Sequence, residues 1–161
     1  MTVIDDLLTA AARTHPPTAG LAAPPSRHVA VVTCMDARID VARLFGFDLG
    51  EAHVIRNAGG RVTDDVLRSL ALSTTALGVD VVVLMQHTGC GLEGVTEAEL
   101  RQRTGADLIF HVIDDHTDAL ARDVAQLAAT PYLGRIELVV GLLYDLDSGA
   151  VRELERWERK G

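Results

Sequence analysis

Only two cysteines occur among the 161 residues, Cys34 and Cys90. A fold held by disulfides needs more, and in a reducing compartment two thiols are free or metal-bound rather than bridged. Aromatic residues make up 4% of the chain, so a core has to be built from Val, Leu, Ile and Ala. Lysine occurs once, at Lys160, and the formal net charge is −8. That balance excludes a binder of nucleic-acid backbone, which needs a basic face. Long apolar runs are lacking as well. Spanning a membrane as a helix takes about 18 or more consecutive apolar residues. The longest runs here, residues 79–85 and 138–144, are only strand-sized, so no membrane partner is expected. The opening Met1-Thr2-Val3-Ile4-Asp5-Asp6 is acidic where a signal peptide is basic. The expected compartment is the cytoplasm.

What is present reads as one α/β domain. A chain of 161 residues, 48% apolar, buries one sizeable core and not two. Residues 3–13 carry Ile4, Leu7, Leu8 and Ala11 on one helical face, and the following stretch, from His15-Pro16-Pro17 to Pro24-Pro25-Ser26, is rich in breakers. Residues 1–26 are therefore read as a helix and Pro-rich linker, and residues 27–161 as the α/β domain. Residues 29–33, VAVVT, form a continuous β-branched run of the kind that parallel strands buried on both faces require. A helix is predicted from Ile39 to Phe45, a strand at 52–56, and a helix capped by Thr63 and running to Leu77. A second buried strand follows at 79–85. Thr96-Glu97-Ala98-Glu99 is a capping box, residues 117–128 read as a helix, and 136–145 as a long strand. Asp147-Ser148-Gly149 is a turn after which 150–154 folds back. Strands alternating with helices give a mostly parallel central sheet flanked by helices. Ligands of such sheets bind at the carboxyl ends of the strands.

At the ends of the two strongest strands stand the residues with metal chemistry. After VAVVT comes Cys34-Met35-Asp36-Ala37-Arg38, and after VVVLM comes Gln86-His87-Thr88-Gly89-Cys90-Gly91. Thiolate and imidazole suit zinc, and three protein ligands leave one position open, which marks a catalytic site. A single Cys at a strand end is usually a small buried hydrophobe, and His-x-x-Cys alone is a weak motif. Together, at two strand ends beside Asp36 and Arg38, they point to a metal held by Cys34, His87 and Cys90.

Cys34-x-Asp36-x-Arg38, followed about fifty residues later by His87-x-x-Cys90-Gly91, resembles the β-carbonic anhydrase signature. His53-Val54-Ile55-Arg56-Asn57-Ala58-Gly59 is similar to a third block of that family, and Val140-Gly141-x-x-Tyr144-Asp145 followed by Gly149 to its last strand and turn. The likeness runs from residue 27 to 154 and fits the compact bacterial form. Gln86 stands where many members have Gly before the metal His, and Gly60 where many have Asn or a larger residue.

The resemblance implies one Zn2+ per subunit and the reversible hydration of CO2 to bicarbonate and a proton by hydroxide generated on the metal. It implies that Asn57, Ala58 and Gly59 line the CO2 and bicarbonate pocket. Asp36 would orient the reacting water, gripped and kept ionised by the Arg38 guanidinium. Released from Arg38, Asp36 would become the fourth zinc ligand of a closed state. The family forms homodimers or dimers of dimers, with residues 1–26 as the expected dimerisation arm. Two alternatives stand beside hydration: hydrolysis of carbon disulfide or carbonyl sulfide at the same site, and a catalytically silent zinc- or bicarbonate-sensing module. His28, His53, His111 and His116 are expected to be structural or exposed.

Overall fold

The structure, a computed structural model, describes residues 2–13, 18–134 and 136–160. The breakers expected at residues 15–17 lie outside them. Five strands form one sheet, β1 (Val29–Cys34), β2 (Ala52–Asn57), β3 (Val81–His87), β4 (Leu138–Tyr144) and β5 (Val151–Glu158), in the spatial order β2-β1-β3-β4-β5. The first four are mutually parallel and β5 returns antiparallel to β4. The α/β class with a mostly parallel sheet is as the sequence implies.

Every residue of β1 is buried, because β1 lies between two strands with side chains packed on both faces. Ala30 and Val32 point into a core shared with α3 (Asp64–Thr75) and α5 (His116–Ala129), while Val31 points into a second core on the opposite face. Parallel pairing sets β1 and β3 in step, with Val29 opposite Val81 and Thr33 opposite Met85. Both strands therefore end at the same edge of the sheet.

The element boundaries differ from the sequence reading in ways that matter for the site. The strand expected at 79–85 is displaced to Val81–His87. Val79 is buried ahead of it, but the backbone around Asp80 is engaged by His28 and Glu137. β1 runs on through Cys34. Cys34 and His87 are thus the last residues of their strands rather than loop residues, and ladder hydrogen bonds hold their backbones. The helix expected from Ile39 shrinks to α2 (Val41–Phe45), capped by Asp40, whose carboxylate accepts from the Arg43 N–H. Thr63 occupies the N-cap position of α3 without capping it; its hydroxyl lies 3.4 Å from the Asn57 amide instead. α3 stops at Thr75, short of Leu77. The capping box at Thr96 and Glu99 opens α4 (Glu97–Thr104) as expected. β5 extends to Glu158, beyond the predicted 154.

α1 (Val3–Ala11) begins with a capping box between Thr2 and Asp5 and buries none of its residues. Val3, Ile4, Leu7 and Leu8 are all exposed. No helix is long and apolar enough to cross a membrane among the described residues.

Candidate metal centre

Cys34 at the end of β1, His87 at the end of β3 and Cys90 three residues later bring two sulfurs and one imidazole nitrogen within 4.8 Å of one another, and all three residues are buried. The sulfurs are 4.0 Å apart. Two thiolates on one tetrahedral zinc would lie about 3.8 Å apart, given Zn–S bonds of about 2.3 Å. The ring of His87 hydrogen-bonds through Nδ1 to the Thr88 carbonyl at 3.0 Å. Since a carbonyl only accepts, Nδ1 carries the proton and Nε2 presents a lone pair. That Nε2 is buried with no hydrogen-bond partner. An orphaned imidazole lone pair facing two thiols is the donor set zinc prefers, so these residues fit the ion.

The charges agree with that fit. The hydrogen bond from Cys90, followed by weaker contributions including His87, draws the Cys34 thiol down to about 4. Cys34 and burial together push the Cys90 thiol up. Burial disfavours a charged His87, but contacts with Cys34, Thr88 and Asp36 outweigh it and leave its pKa raised.

Asp36 and Arg38 form a two-pronged pair beside this cluster. Arg38 Nε donates to Asp36 Oδ1 at 2.9 Å and Nη2 to Oδ2 at 2.7 Å, while the Arg38 backbone N–H also donates to Oδ1. The Arg38 side chain first, then its backbone N–H, hold the Asp36 carboxyl well below the usual carboxylate range. Asp36 Oδ2 lies 3.9 Å from His87 Nε2. The carboxylate thus faces the donor cluster while anchored from behind.

Cys34, Met35, Ala58, Gly59, Cys90, Gly91 and Leu92 line a cavity of about 170 Å³ over the cluster. Of the three residues expected in the pocket wall, Ala58 and Gly59 line it. The Asn57 side chain is spent on the turn instead, donating to the Arg61 carbonyl and accepting from the Arg61 N–H. Gly60 explains its own departure from larger residues: at φ +63° a Cβ would come 2.8 Å from the Met85 carbonyl oxygen and 3.0 Å from the Cys34 nitrogen. The turn is pressed into the notch between the ends of β1 and β3.

A profile described as carbonic anhydrase matches residues 29–135. Beta-carbonic anhydrase 1 of Mycobacterium tuberculosis (strain H37Rv) is 37% identical over 137 residues, covering 81% of this chain and 84% of that protein. The chain belongs to the β-carbonic anhydrase family. The crystal structure of the carbonic anhydrase from Streptococcus mutans superposes with a TM-score of 0.81 at 36% identity, covering 96% of this chain and 99% of that one. A carbon disulfide hydrolase of Acidithiobacillus thiooxidans is 42% identical over 141 residues, covering 82% of this chain and 64% of the relative.

Several residues that support the site in this family member escaped the sequence reading. Arg56 donates from Nε to the Cys34 carbonyl at 3.0 Å and from Nη2 to the Asp36 carbonyl at 2.6 Å, clamping the segment that carries both side chains. Its place in the His53–Gly59 block was visible, its clamp was not. Arg61 and Asp123 form a buried ion pair at 2.7 Å. His116, expected to be merely structural or exposed, pairs through Nδ1 with the buried Gln86 at 2.8 Å. His53 pairs with Ser73, and His28 with the Gly78 carbonyl. Neither these histidines nor His111 line the cavity.

Proposed function

We propose that this chain is a zinc-dependent carbonic anhydrase, interconverting CO2 and water with bicarbonate and a proton. The observation that carries the reading is the convergence of the Cys34, His87 and Cys90 donor atoms, with the two cysteines lining a small pocket and the ion-paired Asp36 beside them. Two thiolates and a neutral imidazole, all from this chain, would hold zinc there, and the ion would supply hydroxide near neutrality by lowering the pKa of water toward about 7.

The remaining residues act on water and CO2. Asp36, kept ionised by Arg38, accepts a hydrogen bond from the reacting water and fixes its orientation. Arg56 holds the backbone on which Asp36 sits. Ala58, Gly59, Met35 and Leu92 give CO2 an apolar wall and limit competing water. Asn57 shapes that wall from behind by fixing the turn. Released from Arg38, the Asp36 carboxylate would serve as a fourth ligand to the ion and close the site.

We further propose that residues 1–26 form a dimerisation arm on the catalytic domain 27–161, in a cytoplasmic homodimer or dimer of dimers. The support is α1, whose four large apolar residues find no burial within the chain. Removing residues 1–25 should leave a monomer in sedimentation velocity; an unchanged dimer refutes the arm.

Stopped-flow CO2 hydration by the zinc-loaded protein, scanned from about pH 6.5 to 9, tests the activity across the range in which zinc-associated water titrates. Activity rising with pH and abolished in Asp36→Ala is expected. The Acidithiobacillus relative makes carbon disulfide the second substrate to try. Zinc uptake with sulfide release from CS2 and no CO2 hydration would replace the first reading by the second. Zinc uptake with neither activity would leave a zinc- or bicarbonate-sensing module.

A further inference from the structure

We propose that Glu93 is a positioning residue for the metal ligand His87, acting through the single peptide unit between Thr88 and Gly89. The inference rests on the zinc reading above and adds to it a residue outside the ligand set. His87 Nδ1–H donates to the Thr88 carbonyl at 3.0 Å. The N–H of the same peptide unit, that of Gly89, donates to Glu93 Oε2 at 2.8 Å. A carboxylate, a peptide and the imidazole are therefore in series, with Nε2 free at the far side of the ring.

Metal-binding histidines commonly give their second N–H to a carboxylate or carbonyl, which fixes the ring and strengthens it as a ligand. Here both partners are used in tandem. An anionic acceptor on a peptide N–H polarises that peptide and makes its carbonyl a better acceptor, so the two bonds reinforce each other. The peptide also needs restraint. Gly89 sits at φ +65°, and a Cβ there would meet nothing within 4 Å, so no crowding holds the turn. Arg38 Nη2 reaches the Gly89 carbonyl at 3.3 Å from the other side, which ties the same residue to the Asp36 pair.

Glu93 is itself held. Its N–H donates to the Cys90 carbonyl, and its backbone bridges Ile113. Its second oxygen lies 3.5 Å from His116 Nε2, and His116 is in turn paired with Gln86, the residue preceding His87. The His116 contact gives the buried Gln86 side-chain oxygen its hydrogen-bond partner.

The test compares wild type, Glu93→Ala and Glu93→Gln as zinc-loaded proteins. The readouts are zinc affinity by chelator competition, CO2 hydration, and the NMR resonances of the Gly89 amide proton and the His87 Nδ1 proton. Glu93→Ala should lose about 10- to 100-fold in zinc affinity or kcat/KM. Both proton resonances should move upfield together. Glu93→Gln keeps an acceptor and should recover most of the loss. An Ala variant whose His87 Nδ1 proton and zinc affinity match wild type overturns the proposal, as does one that loses only thermal stability. Wild type that takes up zinc but hydrates no CO2 sinks the proposed activity alone, because affinity and the paired resonances still decide the relay. Wild type that takes up no zinc sinks the metal reading, and the paired resonances on the same protein still judge the series of bonds.

Discussion

Replacing Asp123 by Ala should be the most damaging single change outside the metal site. Arg61 and Asp123 have side chains only 6% and 5% exposed. Arg61 Nε and Nη2 both donate to the Asp123 carboxylate, at 2.7 and 3.0 Å, and Nη1 donates to the carbonyls of His111 and Val112. Without the carboxylate, the guanidinium keeps its charge in the interior with two of its nitrogens unpartnered. Breaking a buried pair from one side costs about 3–5 kcal/mol. With a urea dependence of about 2 kcal/mol per molar, the unfolding midpoint should fall by about 1.5–2.5 M. The assay is urea unfolding followed by far-ultraviolet circular dichroism at one fixed protein concentration, since association would otherwise shift the midpoint. Asp123→Leu combined with Arg61→Met, which removes both charges, should recover much of the loss. A shift below about 0.5 M for Asp123→Ala would equate the pair with an exposed one, worth at most about 1 kcal/mol, and refute the reasoning.

Gly60→Ala should cost at least about 2 kcal/mol, because the new methyl meets the backbones of β1 and β3, which cannot swing aside. Thermal unfolding gives the cost, and chelator competition should show weaker zinc binding because those strands carry Cys34 and His87. Glu97 accepts the backbone N–H groups of Phe110 and Val112, and the bond from Phe110 above all lowers its pKa below 4.5. Its stabilisation should therefore be fully present above that ordinary value and lost as pH falls through the lower folded-state value. Calorimetry of wild type and Glu97→Gln from about pH 7 to 3 should show melting temperatures that converge only in acid; a gap independent of pH refutes the assignment. Arg56→Met should leave zinc stoichiometry intact and lower CO2 hydration by about 10-fold or more, since the clamp holds the Asp36 carbonyl and not the metal ligands' side chains. Zinc titration beside stopped-flow hydration checks both halves.

The parts of the fold that were legible are those in which local pattern and tertiary burial agree. β1 and β3 stand out because strands buried on both faces must be apolar throughout, and VAVVT and VVVLM are. The donor cluster followed, since parallel neighbours of equal register end together. β5 was cut short because an edge strand reading Val-Arg-Glu-Leu-Glu-Arg-Trp-Glu has little apolar alternation, and its ladder with β4 rather than its side chains extends it. Thr63 looked like a cap, but the Asn57 amide competes for its hydroxyl. The Arg61–Asp123 pair spans 62 positions, and His116 meets Gln86 across 30. No local spacing announces such partners; the packing of α5 against the sheet creates them.

The donors' distribution along the chain makes the ion a thermodynamic cross-link. Cys34 closes one strand and His87 another, with two α-helices and an edge strand threaded between them. An unfolded chain cannot keep those groups together, so zinc held by them would bind the folded form almost alone. Folding stability then becomes a function of free metal concentration: each tenfold rise above the dissociation constant should add about 1.4 kcal/mol. The melting temperature would then read out the free zinc concentration. A chelator titration in which the midpoint stays fixed would mean that the strand ends hold their places without the ion.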